Sequence, residues 1–443
     1  MGTTITNVRV FDGLDLTAAT AVRLELGTIV DLGDPYIARA DDDLIDGRGG
    51  TLVPGLIDSH VHLLPGAPAQ SLSFGVTTIL DMFSKPPLVQ HAISEGHERG
   101  NATVFSSSIG ATAPGGHPSM MYAPFPYVSN AQEAVDFVRA RRNEGATYLK
   151  LFYESGQGVG MTLPSLELPT IRALVDAAHA EKMLAVAHVH QAVDAVEVVD
   201  CGVDVLAHVP TDEMTRAQIT AIAEAQVAVI ATLSIQDGFP SPGEPAPLLT
   251  QAALVDALSP AWIDVLEAQS KRWMPPQMPS FEIAAQNVGA LYRAGCTILA
   301  GTDAPNPGTV HGASLHRELQ HLVAAGLSPV AALRAATADP AEVFELVGRG
   351  RIISGAIADL VLVDGIPDEV ISDSQKVVGV WKRGERQDLT SYDGSATERA
   401  GISFHHGQTQ RVIDAVIAMY PQFAQELRGQ SFTRTNQPAK DTH

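Results

Sequence analysis

The stretch "LVPGLIDSHVHLLPG", residues 52–66, sets two histidines one residue apart in a run of Leu, Val and Ile bound for the interior, with Asp58 just before them. A buried imidazole costs free energy unless both ring nitrogens find partners. Side chains at i and i+2 of a strand share one face, so His60 and His62 point the same way. That suits one shared metal ion, which ring nitrogens bind at roughly 2.0–2.1 Å, although the pair alone fits a chance spacing equally well. Seven more short apolar segments follow, each leading into a helical pattern: "GVTTILDMF", "ATVFSSSIG", "ATYLKLFYE", "MLAVAHVH", "VDVLAHVP", "VAVIATLS" and "CTILAGTDA". Eight strands alternating with helices predict an α/β fold, a (β/α)8 TIM barrel, with a doubly wound sheet as the alternative. A barrel places its chemistry at the C-terminal ends of the strands, where the polar residues of these segments cluster.

The flanks read differently. Residues 4–53 alternate with period two between Gly-Asp turns, and similar strands return in "ADLVLVDGIP" and "VVGVWKRGER". The expected division is a small β-sandwich domain from 1–53 plus 352–388, the barrel over 54–351, and a C-terminal helical tail over 389–443. The amphipathic "TQRVIDAVIAMYPQFAQELRG" in that tail suggests a docking or oligomer-contact element, hence a homo-oligomer. The Pro-rich stretch over 236–280, after the seventh strand, reads as a lid or a disordered loop.

The 443 residues carry a formal net charge of −21, which disfavours nucleic acid or an anionic membrane surface as a partner. No apolar run approaches the roughly 20 residues that span a bilayer, and "MGTTITNVRVFDG" lacks the pattern of a signal peptide. Cys201 and Cys296 read as buried free thiols rather than a disulfide, as in a reducing cytoplasm.

The companions of the histidine pair decide its reading. Strand five ends in His188, strand six in His208 and strand eight in Asp303, while strand four carries Lys150. Metal-competent groups at the ends of separate strands are hard to attribute to packing. Lys150 is the odd member. It is either a strand lysine snorkelling to solvent or a desolvated, neutral amine.

Together "PGLIDSHVH", "AHVH" with His208 twenty positions after His188, "GTDAP" and the closing "SGAIADLVLVDG" resemble the amidohydrolase superfamily, over nearly the whole chain to about residue 388. The similarity is strongest to the imidazolonepropionase-like and prolidase-like branch with a carboxylated lysine. That resemblance implies a binuclear centre of two divalent ions, zinc first, with manganese, cobalt or iron as alternatives. His60, His62 and Asp303 would hold one metal and His188 and His208 the other. Lys150, carboxylated by CO2, would bridge them. It implies Asp303 as the catalytic proton shuttle and His117, in "TAPGGHPSMMY", as a carbonyl-polarising residue. His190, His311, Tyr122 and Tyr153 are further candidates for substrate contact. A supporting role at a strand end is open for His190 and a helix-start role for His311, and Asp58 is either a partner of the metal pair or a barrel-floor contact. His316 and His321 read as structural.

The loop after strand three, with Met120, Met121, Tyr122, Phe125 and Tyr127, is apolar and aromatic, and Phe239, Trp262 and Trp273 add to it. Cations are few: Lys85, Lys271 and Arg272. The expected substrate is a neutral, apolar, aryl-bearing amide, urea or carbamate such as a phenylurea or anilide. The alternatives are a prolidase-like dipeptidase or carboxypeptidase with Arg272 as carboxylate clamp, an ester or lactone hydrolase, and a non-catalytic scaffold.

Overall fold

A computed structural model describes residues 2–98, 100–119, 124–238, 244–269, 279–390, 392 and 394–428. All eight predicted strands form: β1 (Leu56–Val61), β2 (Val76–Asp81), β3 (Thr103–Ser106), β4 (Leu149–Phe152), β5 (Ala185–His188), β6 (Val205–Ala207), β7 (Ala228–Ile230) and β8 (Ile298–Leu299). β1 to β3 pair in parallel as one arc and β4 to β8 as another. Two seams close the ring. Ala111 bridges Leu151, and the Phe152 N–H donates to the Ala111 carbonyl at 2.9 Å; Val61 bridges Ala304, and the His62 N–H donates to the Ala304 carbonyl at 2.7 Å.

Strand residues are buried on both faces, which explains the near-continuous apolar runs. Ile57, Leu80, Tyr148, Val186, Val205, Ile230 and Leu299 pack together as the barrel's inner filling. The alternate positions, such as Leu56, Ile79, Leu149, Leu151, Ala187, Leu206 and Val229, face the helices in the main core. On β4 the inward parity is therefore Tyr148, Lys150 and Phe152.

Two sheets face each other beside the barrel. One has the order Thr28–Gly33, Ala21–Glu25, Thr3–Thr6, Asp43–Asp46. The other has the order Glu385–Arg386, Val377–Lys382, Leu360–Val363, Thr51–Pro54, Arg9–Val10, so chain segments from both ends of the barrel share it. Ile5, Val22, Leu24 and Ile29 of the first pack against Val10, Leu52, Leu360, Leu362 and Trp381 of the second.

Within the Pro-rich insertion, most of the described residues are helical rather than loop. Pro247–Thr250, Ala252–Val255 and Pro260–Gln269 are helical turns whose Leu248, Leu254, Trp262 and Leu266 enter the main core. Pro247 and Pro260 each open a helical segment, a position where proline's fixed φ helps and its missing N–H costs nothing. The tail forms a long helix, Ala396–Met419, beginning earlier than its amphipathic segment. Cys201 and Cys296 are free and buried. Among the described residues no helix is long and apolar enough to cross a membrane.

Candidate metal centre

The C-terminal ends of the strands converge on a cluster of imidazoles. His62 Nε2 lies 2.8 Å from Asp303 Oδ1, His60 Nε2 lies 3.4 Å from the same oxygen, and His208 Nε2 is 3.9 Å from Asp303 Oδ2. One ligand atom from each of His60, His208 and Asp303 falls within 4.8 Å of the others, and the same holds for His188, His190 and His208. The two triads share His208, whose ring stacks on His60 at 4.7 Å and stands edge-on to His188 at 5.0 Å.

Local structure aims these groups. Asp303 turns out of β8 with φ of 58°, and its N–H donates to the His60 carbonyl at 2.8 Å. A left-handed aspartate costs on the order of 1 kcal/mol and persists where surroundings impose it. Asp58 latches the same seam: Oδ2 accepts from Thr302 Oγ1 at 2.7 Å, while Oδ1 accepts the Thr302 N–H at 3.0 Å and the His60 N–H at 3.2 Å. Asp58 is thus a strand clamp, and burial lifts its carboxyl to about 7. His62 Nδ1 lies 3.2 Å from the Phe83 carbonyl and His208 Nδ1 2.5 Å from Thr232 Oγ1. With Nδ1 occupied, Nε2 is left for the centre, the usual arrangement around a metal-binding histidine.

Burial holds His60, His188 and His208 well below the ordinary histidine range, and the Lys150 charge adds to this. Burial alone would lower His62 too, but the hydrogen bond and charge of Asp303 outweigh it and raise it. Neutral imidazoles beside a carboxylate form a donor set suited to a divalent transition metal. Lys150 Nζ is wholly buried and has no hydrogen-bond partner, as is His60 Nδ1. Burial brings the Lys150 amine down to about 7, against the attraction of Asp303. An orphaned amine inside a ring of ligands fits a bound group better than an empty core. The snorkelling alternative for Lys150 does not hold, because its side chain points inward.

The other candidates divide. His117, on the glycine-rich loop after β3, packs 5.2 Å from His188 and 5.6 Å from Phe152, and burial lowers it to about 4. His190 joins the cluster, stacked on His208 at 5.3 Å with Nδ1 2.6 Å from Glu154 Oε2. Two further candidates for substrate contact are bonded within the protein. Tyr153 has the outward parity of β4, and its hydroxyl donates to Glu197 at 2.6 Å on the helix Ala192–Asp200. His311 is fully buried, with Nε2 3.0 Å from the His62 carbonyl, where it supports the strand, and its Nδ1 is without a hydrogen-bond partner. Tyr122 lies outside the described residues, as do Met120, Met121, Phe239, Lys271, Arg272 and Trp273. His316 is structural, with Nε2 2.9 Å from the Phe74 carbonyl.

Two residues escaped the sequence reading. Glu154 is buried beyond the end of β4, with Oε2 also 3.6 Å from His188 Nε2 and Oε1 accepting the Gly156 N–H at 2.5 Å. Burial would raise its carboxyl, but the bonds to His188 and His190 hold it well below the usual range. Phe83, at the end of β2, forms an aromatic wall with Phe152 at 5.5 Å and Phe125 at 6.0 Å, closed by Ile109. Continuing the inward parity of β4 past Phe152 would have found Glu154; the terminal Phe of "LDMF" was the signal for Phe83.

A family model described as the amidohydrolase family matches residues 51–389. No curated protein matches the chain. Among solved structures, an Xaa-Pro dipeptidase with bound methionine in its active site is similar at a TM-score of 0.70 and 22% identity, covering 88% of this chain and 100% of that one. Ochratoxinase from A. niger aligns at 0.67 and 19%, over 89% and 96% of the two chains. Phenylurea hydrolase B aligns at 0.66 and 20%, over 88% and 98%.

Proposed function

This chain belongs to the amidohydrolase family and is a metal-dependent hydrolase, and from that premise we propose that it cleaves the carbon–nitrogen bond of a neutral, aryl-bearing amide, urea or carbamate. The wall of Phe83, Phe125 and Phe152 carries this reading, because its Phe152 packs against His117 and His188 at the edge of the metal-competent cluster. An aryl ring stacked there in offset or edge-to-face geometry gains about 0.5–1.5 kcal/mol per pair beyond its area burial.

His60, His62 and Asp303 would hold one divalent ion and His188 and His208 a second, zinc being the first choice. The wholly buried, unpartnered Nζ of Lys150 supports carboxylation of that amine by CO2 as the bridging group. When bound, such ions polarise a carbonyl and lower the pKa of water from 15.7 toward roughly 7. Asp303 takes the proton of the attacking water and delivers it to the departing nitrogen, which cannot leave as an anion. His117, packed beside His188, donates a hydrogen bond to the substrate carbonyl. Glu154 fixes the orientation of His190, and Asp58 fixes the β1–β8 seam that aims His60 and Asp303.

The test is a metal-reconstituted enzyme assayed on an aryl urea and anilide series beside Xaa-Pro and Xaa-Arg dipeptides, with metal content measured on the same preparation. Turnover of the aryl series, lost with chelator and regained with zinc, supports the reading. Turnover confined to charged dipeptides, or protein that retains no metal, overturns it.

A further inference from the structure

The helix Ala396–Met419 lies beyond residue 389, where the family match ends. It does not hang free. At its start, a methyl group on Gly66 would meet Tyr392 and Thr397 at 2.8 Å, and one on Gly401 would strike the Pro65 carbonyl, so the tail packs directly on the loop that follows His62. Midway, His405 Nε2 lies 3.2 Å from Gln269 Nε2, and Gln269 Oε1 accepts the Gly308 N–H at 2.8 Å, in the loop that follows Asp303. At its far end the Tyr420 hydroxyl donates to the Thr162 carbonyl at 3.0 Å and accepts the Thr162 N–H at 3.2 Å, in the loop after β4.

The loop after β4 is itself the hub of the mouth. It begins at Glu154, the partner of His190. Its Gly158 sits 3.8 Å, measured from a Cβ placed there, from the His190 side chain, and Pro164 closes on Gly116, next to His117. The helix and Tyr420, the residue that follows it, therefore contact the loops after β1 and β4, reach the loop after β8 through Gln269, and through the β4 loop bear on both His190 and His117.

We infer that the helix Ala396–Met419 together with Tyr420 is a strap across the barrel mouth and that Tyr420, by pinning the β4 loop at Thr162, is a specificity-determining residue that limits the size of substrate admitted. The inference rests on the barrel mouth being the active site. The Tyr420 hydroxyl acts on the β4 loop through the Thr162 backbone, so its role is positioning.

Tyr420→Phe in the full-length, metal-loaded enzyme removes both bonds to Thr162 and keeps the ring. Two readouts follow: hydrogen–deuterium exchange of the 155–166 segment, and kcat/KM for a compact anilide and a bulkier N-aryl analogue. The expected result is at least fivefold faster exchange in that segment and a ratio of bulky to compact kcat/KM raised at least threefold, with kcat for the compact substrate within twofold. Unchanged exchange overturns the strap; faster exchange with an unchanged ratio overturns the specificity role. If no aryl substrate is turned over by the parent enzyme, the proposed function fails by itself, while the exchange result still decides whether the strap exists.

Discussion

Asp303 serves both as a metal-competent oxygen and as the proposed proton carrier, and its positive φ gives the carboxylate a fixed aim at both tasks. Asp303→Asn keeps the shape and removes the base. Its kcat is expected to fall about 10²- to 10⁴-fold, the usual worth of a positioned acid–base group. Measuring metal content alongside rates separates the two tasks: a protein that stays loaded yet fails to turn over has lost the proton carrier. Glu154 acts one step further out. Its carboxylate orients His190 and lies close to His188, so Glu154→Ala should weaken zinc affinity by about 10- to 100-fold, as loss of a ligand's hydrogen-bond partner typically does. Competition against a chromogenic chelator reads this directly. An unchanged affinity would mean that the carboxylate has no bearing on the ligand set. The clustering of these side chains was legible in the sequence because strand parity places His60 beside His62 and the motif spacing brings in His188, His208 and Asp303. Glu154 was not, because the reading of β4 stopped at Phe152 although the same parity runs on.

Elements were legible where a short apolar run had turn residues on both sides, as in all eight barrel strands. They were less so where proline suggested a break: Pro247 and Pro260 open helical segments, and leucines spaced through 248–266 bury themselves in the core. The tail's packing was hidden because its contacts are with segments remote in sequence, at Pro65, Gln269 and Thr162. Joining of sandwich to barrel was equally invisible. Lys382 of the strand Val377–Lys382 is buried, with Nζ 2.8 Å from Asp359 Oδ2 and 2.7 Å from Thr103 Oγ1 at the start of β3. Arg349 donates to the same hydroxyl at 3.0 Å. Removing one partner of a buried ion pair leaves an uncompensated charge and costs about 3–5 kcal/mol. Asp359→Ala should therefore lower the urea midpoint of the full chain by that equivalent, whereas Asp359→Leu with Lys382→Met should recover most of it. A single-variant loss no larger than that of the double variant would show that the pair contributes only packing.

At the scale of the molecule, stability and chemistry are linked through buried charge. Zinc bound only by the folded state raises the unfolding free energy by RT ln(1 + [L]/Kd), about 2.7 kcal/mol at a hundredfold excess over Kd. Chelation should lower Tm and zinc restore it. Stripping the metal also exposes a second dependence, on protons. Glu318 of the helix Ala313–Ala324 is fully buried, accepting the Leu233 N–H at 3.0 Å and the Ser234 N–H at 2.6 Å at the start of the helix Leu233–Asp237. Burial, reinforced by the Asp58 charge and opposed by those hydrogen bonds, pushes its carboxyl up to about 8. An ordinary glutamic acid titrates near 4.3, so the folded chain holds this proton more tightly than the unfolded chain does. The resulting stabilisation is present in full below about pH 4 and is lost progressively as pH rises through about 8. Glu318→Gln keeps an acceptor for one of the two N–H donors and has no proton to lose, so its own loss of a bond is the same at every pH. Urea unfolding of the metal-free parent and variant, compared at intervals from about pH 5 to 8, should show the parent losing ground to the variant as pH rises. Curves that stay parallel across that range would mean the proton on Glu318 plays no part in folding.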